Sequence, residues 1–160
     1  MGEFPGRVRT VAKSLRPSVK KPAKREIPAG FGRILVVEDD GLLAMAIEQA
    51  LIDAGAGEVV LCNSTDAALA ALRVKRPDAI VLDVHLADRD DGWAIAELVD
   101  DVGPNPPRIV FSTGAPQDIP PKIAELGPIL VKPYDPADLI KAIRGPQRPG
   151  LFSRLRGTAQ

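Results

Sequence analysis

Five short apolar runs, each followed by a stretch patterned like a helix, constrain this chain more than any other feature. Ile34-Leu35-Val36-Val37 is a continuous apolar stretch, the pattern of a strand covered on both faces. Val59-Val60-Leu61, Ala79-Ile80-Val81-Leu82, Ile109-Val110-Phe111 and Ile129-Leu130-Val131 repeat it. After the first run, Leu42, Leu43, Ala46, Ile47, Ala50 and Leu51 recur at helical spacing, and Gly55 supplies a stop. Ser64 is placed to cap a helix bearing Ala68, Leu69 and Leu72 that ends before Pro77. A third helix is expected after Gly92, through Trp93, Ile95, Ala96, Leu98 and Val99. The last opens on Asp135 as N-cap, with Pro136 in the first turn and Asp138 near the positive end of the helix dipole. Strands alternating with helices predict βαβ crossovers, a parallel sheet and helices on both its faces. Ligands of such sheets bind past the carboxyl ends of the strands.

The polar residues just past those ends form a compact set. Glu38, Asp39 and Asp40 follow the first run, Asp83 the third, Ser112 and Thr113 the fourth, and Lys132 the fifth. Gathering Glu38, Asp39 and Asp83 into one pocket sets like charges together, and two of them at 4 Å repel by about 4 kcal/mol at an effective dielectric of 20. Such a cluster calls for a cation or for protons. Oxygen donors without a thiolate favour a hard ion, and Mg²⁺ with retained waters fits best. A carboxylate beside such an ion can attack phosphorus, because the metal neutralises charge on the transferring group. Lys132 would add a second positive charge, and Thr113 a hydroxyl donor to a phosphoryl oxygen. Asp40 reads instead as a solvated residue at a helix start.

Four stretches in order resemble the signature segments of response-regulator receiver domains: Ile34-Leu35-Val36-Val37-Glu38-Asp39-Asp40, Val81-Leu82-Asp83-Val84, Phe111-Ser112-Thr113-Gly114 and Val131-Lys132-Pro133-Tyr134. The resemblance covers residues 33–144. It implies a flavodoxin-like (βα)5 three-layer sandwich with a parallel five-stranded sheet of order 2-1-3-4-5. It also implies roles. Asp83 would be the phosphoacceptor, Asp39 the direct Mg²⁺ ligand, Glu38 the holder of metal-bound water, and the His85 carbonyl a further ligand. Thr113 would be the switch hydroxyl and Lys132 the contact to the phosphoryl group, with a cis Lys132-Pro133 peptide. The implied partners are a histidine kinase or histidine phosphotransfer protein upstream and a protein target downstream, the chain itself being a monomer or weak homodimer. It would be a phosphoprotein of a phosphorelay rather than an enzyme.

Some positions depart from the family pattern. Ile129 stands where an aromatic is usual, three residues before Lys132. The Gly114–Pro128 segment is short and holds Pro116, Pro120, Pro121 and Pro128, so a short or irregular fourth helix is expected there. Ala87 replaces a usual Pro, and the loop before Gly92 is one residue longer. Phe-Ser-Thr-Gly is similar to an atypical, mostly single-domain subset from alpha-proteobacteria. These departures leave open a second reading, a phosphorylation-independent pseudo-receiver that acts as an interaction scaffold. A hydrolase with an Asp nucleophile, of the haloacid-dehalogenase type, would want an Asp two residues after Asp83, where His85 stands. Tyr134 and Trp93 read as packing residues, and Cys62 as a small buried hydrophobe.

Composition sets the remaining bounds. With 160 residues there is room for one domain, and 45% hydrophobic against 4% aromatic residues means a core of Ala, Val, Ile and Leu. One cysteine excludes an internal disulfide, and no Cys/His cluster has zinc spacing. Apolar runs are far shorter than a membrane span, and the basic start lacks the apolar region of a secretory signal, so a cytoplasmic protein is expected. Charge is unevenly spread. Residues 1–32 hold eight Lys/Arg against two Glu, residues 33–143 nine basic against nineteen acidic groups, and the last 17 residues four Arg. Residues 1–32 read as a basic disordered arm, 33–144 as the receiver and 145–160 as a basic tail. An acidic body argues against a folded face that binds nucleic acid, and with 16 residues after Arg144 direct control of transcription is not expected.

Overall fold

Burial on both faces is what makes the apolar runs strands. In the computed structural model, which describes residues 31–86, 93–100 and 105–146, β1 (Arg33–Val37) and β3 (Ala79–Asp83) are buried at every position. Along β4 (Arg108–Thr113) only the first residue is partly open, whereas β2 (Glu58–Cys62) and β5 (Ile129–Val131) are half-exposed. That gradient follows their places: the strands pair in parallel in the order β2-β1-β3-β4-β5, so β2 and β5 are the edges. The chain therefore has the flavodoxin-like three-layer fold expected from its sequence.

Alternation along each strand feeds two cores. Leu35, Val37, Ile80, Leu82, Ile109 and Phe111 point to one face, and Ile34, Val36, Val81 and Val110 to the other. The first face packs on α2 (Thr65–Val74) through Ala68, on α3 (Ala94–Asp100) through Ile95, Ala96 and Val99, and on α4 (Pro121–Ala124) through Ile123. The second packs on α1 (Gly41–Asp53) through Ile47 and Leu51, and on α5 (Pro136–Arg144) through Leu139 and Ile143. Each fully buried side chain of this size contributes roughly 1.5–3 kcal/mol of hydrophobic free energy.

The helix ends follow the expected chemistry. The Asp40 carboxylate accepts hydrogen bonds from the backbone N–H of Leu42 and Leu43, Ser64 Oγ from Ala67 N, and Asp135 from Ala137 N. Each satisfies donors that a first helical turn leaves open. After α1, Gly55 takes φ 96°, the left-handed conformation that glycine adopts without strain. Two readings need correction. On α1 the buried residues are Ala44, Ile47 and Leu51, while Leu42 is 83% exposed; the helix carries apolar residues on several sides, so the spacing alone did not reveal which stripe faces the sheet. Trp93 sits in the turn before α3 rather than inside it. The expectations at Ala87 and Gly92 lie outside the described residues. The fourth helix is short as foreseen, a 3-10 turn at Pro116–Asp118 followed by the four residues of α4. Cys62 is buried and unpaired, and burial pushes its thiol pKa up.

Candidate functional site

Parallel pairing brings the ends of β1 and β3 side by side, with Val37 opposite Leu82 and Asp83 opposite Ser112. Glu38 and Asp83 therefore leave the sheet at the same edge, and both are nearly inaccessible to solvent. Glu38 Oε1 accepts from Asp40 N at 3.1 Å. Asp83 Oδ1 accepts from His85 N at 2.9 Å. Between the two carboxylates lies the ammonium of Lys132, which donates to Glu38 Oε2 at 2.7 Å and to Asp83 Oδ2 at 2.9 Å. Lys132 arrives there because its own N–H bonds the Thr113 carbonyl at 2.8 Å, continuing the β4–β5 ladder. The peptide that follows, Lys132-Pro133, is cis.

Asp39 completes the cluster. One oxygen each from Glu38, Asp39 and Asp83 lies within 4.8 Å of the others, with Asp39 on the solvent side. Three carboxylates against one ammonium leave a net deficit of positive charge, and the all-oxygen donor set suits a hard divalent cation.

The same crowding of charge shows in the titration of the cluster. Burial pushes the Glu38 carboxyl up, partly offset by its hydrogen bonds from Lys132 and from the Asp40 N–H, and the like charge of Asp83 adds to the rise. For Lys132, burial pulls the pKa down, but the hydrogen bonds and charges of Glu38 and Asp83 outweigh it and leave the ammonium more basic than usual. It remains charged throughout the neutral range.

Thr113 is fully buried, and its Oγ1 accepts from Ala115 N at 3.0 Å, which leaves its hydroxyl proton to be donated elsewhere. Ser112 is engaged differently. Its Oγ lies 2.9 Å from Tyr134 OH, a tie between β4 and the segment after β5. The tyrosine is thus more than a packing residue, and burial raises its phenol pKa, the Ser112 bond offsetting part of the rise. His85 is half-exposed, with Nε2 3.3 Å from Asp118 Oδ2. This contact joins the segment after β3 to the 3-10 turn.

Three features escaped the sequence reading. The Ser112–Tyr134 and His85–Asp118 contacts pair residues 22 and 33 positions apart, at strand ends whose register only the fold supplies. An apolar ridge on α1 also emerged: Leu42, Met45 and Ile52 are 83%, 63% and 50% exposed, starting beside the pocket. The run of apolar residues on every side of α1 was its one available signal.

A parallel sheet of this order, with an acid cluster and a lysine on its carboxyl edge, defines a CheY-like α/β domain. The family model for the response regulator receiver domain matches residues 34–144, and the chain belongs to that family. The transcriptional regulatory protein PdtaR of Mycobacterium tuberculosis is 27% identical over 113 residues, 69% of this chain and 54% of that protein. The chain thus spans about half the length of the curated relatives it matches. Among solved structures, the CheY-like receiver domain from Methylobacillus flagellatus is 25% identical with a TM-score of 0.64, covering 72% of this chain and 98% of its own. A response regulator receiver protein from Sinorhizobium medicae is 27% identical with a TM-score of 0.58, covering 72% of this chain and 92% of its own.

Proposed function

We propose that the chain is a phosphoacceptor receiver: Asp83 takes a phosphoryl group from a phosphohistidine protein, with Mg²⁺ bound, and the phosphorylated form signals by protein contact. The observation that carries this reading is Lys132 Nζ at 2.9 Å from Asp83 Oδ2, inside the cluster of Glu38, Asp39 and Asp83. In the transfer, a carboxylate oxygen of Asp83 forms a bond to phosphorus as the donor's N–P bond breaks, and the electron pair returns to the imidazole nitrogen. Glu38, Asp39 and Asp83, with the His85 carbonyl, would hold the Mg²⁺, which when bound supplies charge neutralisation on the transferring group. Lys132 pairs with the negative charge of the phosphoryl oxygens, and the free hydroxyl proton of Thr113 is donated to one of them. The Leu42–Met45–Ile52 ridge, adjacent to the pocket, is the surface on which a donor protein would dock.

A pseudo-receiver that works as a scaffold is the competing reading, favoured by Ile129 in place of an aromatic and by an α4 of four residues. Incubation with acetyl phosphate and Mg²⁺, read by intact mass, separates the two. The receiver reading expects a gain of one phosphoryl group, absent with EDTA and absent in Asp83→Asn. An unchanged mass with acetyl phosphate and with a panel of purified histidine kinases would leave the scaffold.

A further inference from the structure

Asp83 and Thr113 are joined by a second route besides the sheet, a circuit of four polar contacts. Within the sheet they are neighbours through the pairing of Asp83 with Ser112. Outside it, Asp83 Oδ1 accepts from His85 N at 2.9 Å, and His85 Nε2 lies 3.3 Å from Asp118 Oδ2. Asp118 N donates to the Ala115 carbonyl at 3.1 Å, and Ala115 N donates to Thr113 Oγ1 at 3.0 Å. Three of these contacts are local, each joining residues two or three positions apart. The His85–Asp118 contact closes the circuit between the two strand ends.

Both sides of that contact are rooted. Leu86 and Ile119, the chain neighbours of His85 and Asp118, are buried in the same apolar core. The turn itself is stiff: Pro116 opens it, and Pro120 and Pro121 follow, each with its φ fixed by the ring. A restraint on Asp118 therefore carries back to Ala115, and from there to the side-chain oxygen of Thr113. The Ala115 N–H occupies a lone pair on that oxygen, which narrows the directions in which the hydroxyl proton can point. Thr113 is fully buried, so bulk water does not compete for the proton.

We propose that His85 and Asp118 are positioning residues for phosphoryl acceptance: their contact holds the 3-10 turn so that the Thr113 hydroxyl is aimed at the group arriving on Asp83. The inference rests on the receiver reading and adds to it a pair of side chains that do no chemistry themselves and act through Thr113. The contact needs only an Nε2–H, which the imidazole carries in one neutral tautomer as well as when charged. Both side chains are about half exposed, so water competes with the contact. Its loss should therefore slow the reaction a few-fold, well short of the ~10²–10³ that follows removal of a transition-state donor.

The test is the rate at which acetyl phosphate with Mg²⁺ loads Asp83 of the full chain, followed by intact mass. Asp118→Ala and His85→Ala should each load roughly 3- to 5-fold more slowly than the wild type, and the double variant no more slowly than either. Asp118→Asn retains an oxygen acceptor for the Nε2–H and should restore most of the rate. In a Thr113→Val background, which keeps the shape and removes the hydroxyl, Asp118→Ala should have no further effect. Hydrogen exchange gives a readout independent of phosphorylation, and it decides alone if Thr113→Val does not fold. Asp118→Ala should speed exchange at the Ala115 amide and leave the amides inside β4 unchanged. The positioning role is overturned, with the receiver reading intact, by wild-type loading in Asp118→Ala, by additive slowing in the double variant, or by the same slowing in the Thr113→Val background. Unchanged exchange at Ala115 overturns it as well. A wild type that takes no phosphoryl group would instead remove the receiver reading, and this proposal with it.

Discussion

Lys132 neutralises two carboxylates at once, so removing its ammonium would leave Glu38 and Asp83 facing each other in a buried site, a loss costing roughly 3–5 kcal/mol for a broken buried pair. The cost explains why the group sits at the end of a strand, where the ladder bond from Lys132 N to Thr113 holds it. A similar economy places Tyr134. It is the chain's one tyrosine, so its phenolate can be followed directly by ultraviolet absorbance. Burial holds the proton on, despite the Ser112 bond. The folded protein should thus ionise Tyr134 above the ordinary phenol value of about 10, and the unfolded protein in denaturant at that value. The sign for stability follows: the folded state binds this proton more tightly, so its contribution is complete below about pH 10 and falls as pH rises through the folded pKa. A titration with the same midpoint folded and unfolded would contradict the buried placement. The gathering of Glu38, Asp39, Asp83 and Lys132 into one cluster was legible at this scale, because each lies at or just past the end of an apolar run. The Ser112–Tyr134 tie was not, since it depends on where β4 and β5 end relative to each other.

At the scale of elements, the strands were the most legible part, because burial on both faces forces an unbroken apolar run. Helix α1 was read correctly as a helix, with Leu43, Ile47 and Leu51 on its core side, but Leu42 and Ala46 were misplaced and Ala44 was missed, since an apolar residue on every side removes the contrast that a stripe needs. The turn into β5 was not foreseen to be tight. A Cβ built on Gly127 would stand 1.9 Å from the Ile109 carbonyl oxygen, a backbone atom that cannot step aside, whereas one on Gly114 meets nothing within 4 Å. Gly127→Ala should therefore destabilise the fold by about 1–3 kcal/mol, as overpacking does. Gly114→Ala should change stability by less than ~0.5 kcal/mol. Urea unfolding of the two variants checks this, and equal midpoints would show that the approach of the β5 turn to β4 is looser than described.

Across the whole molecule, the amino edge is tied down by Arg33, Arg108 and Arg144, and the carboxyl edge gathers acids around one lysine. Between them, α1 presents Leu42, Met45 and Ile52 to solvent, starting directly after the Asp39–Asp40 pair. Under the proposed receiver function, a helix that keeps its apolar residues exposed beside the acid pocket offers a docking surface to a partner that must reach that pocket. Leu42 buries almost nothing within the chain, so Leu42→Ser should shift stability by less than ~0.5 kcal/mol. A small phosphodonor has no need of the ridge, and acetyl phosphate should load Asp83 in this variant at the wild-type rate. If α1 is the docking surface proposed, a protein donor needs it. With whichever purified histidine kinase phosphorylates the wild type fastest, Leu42→Ser should raise KM by roughly 10-fold, the loss of an apolar anchor of about 1.4 kcal/mol, and leave kcat nearly unchanged. Equal KM for both proteins would move the docking surface off α1. A loss of the acetyl phosphate reaction would show that Leu42 shapes the pocket itself, through the helix end that Asp40 caps.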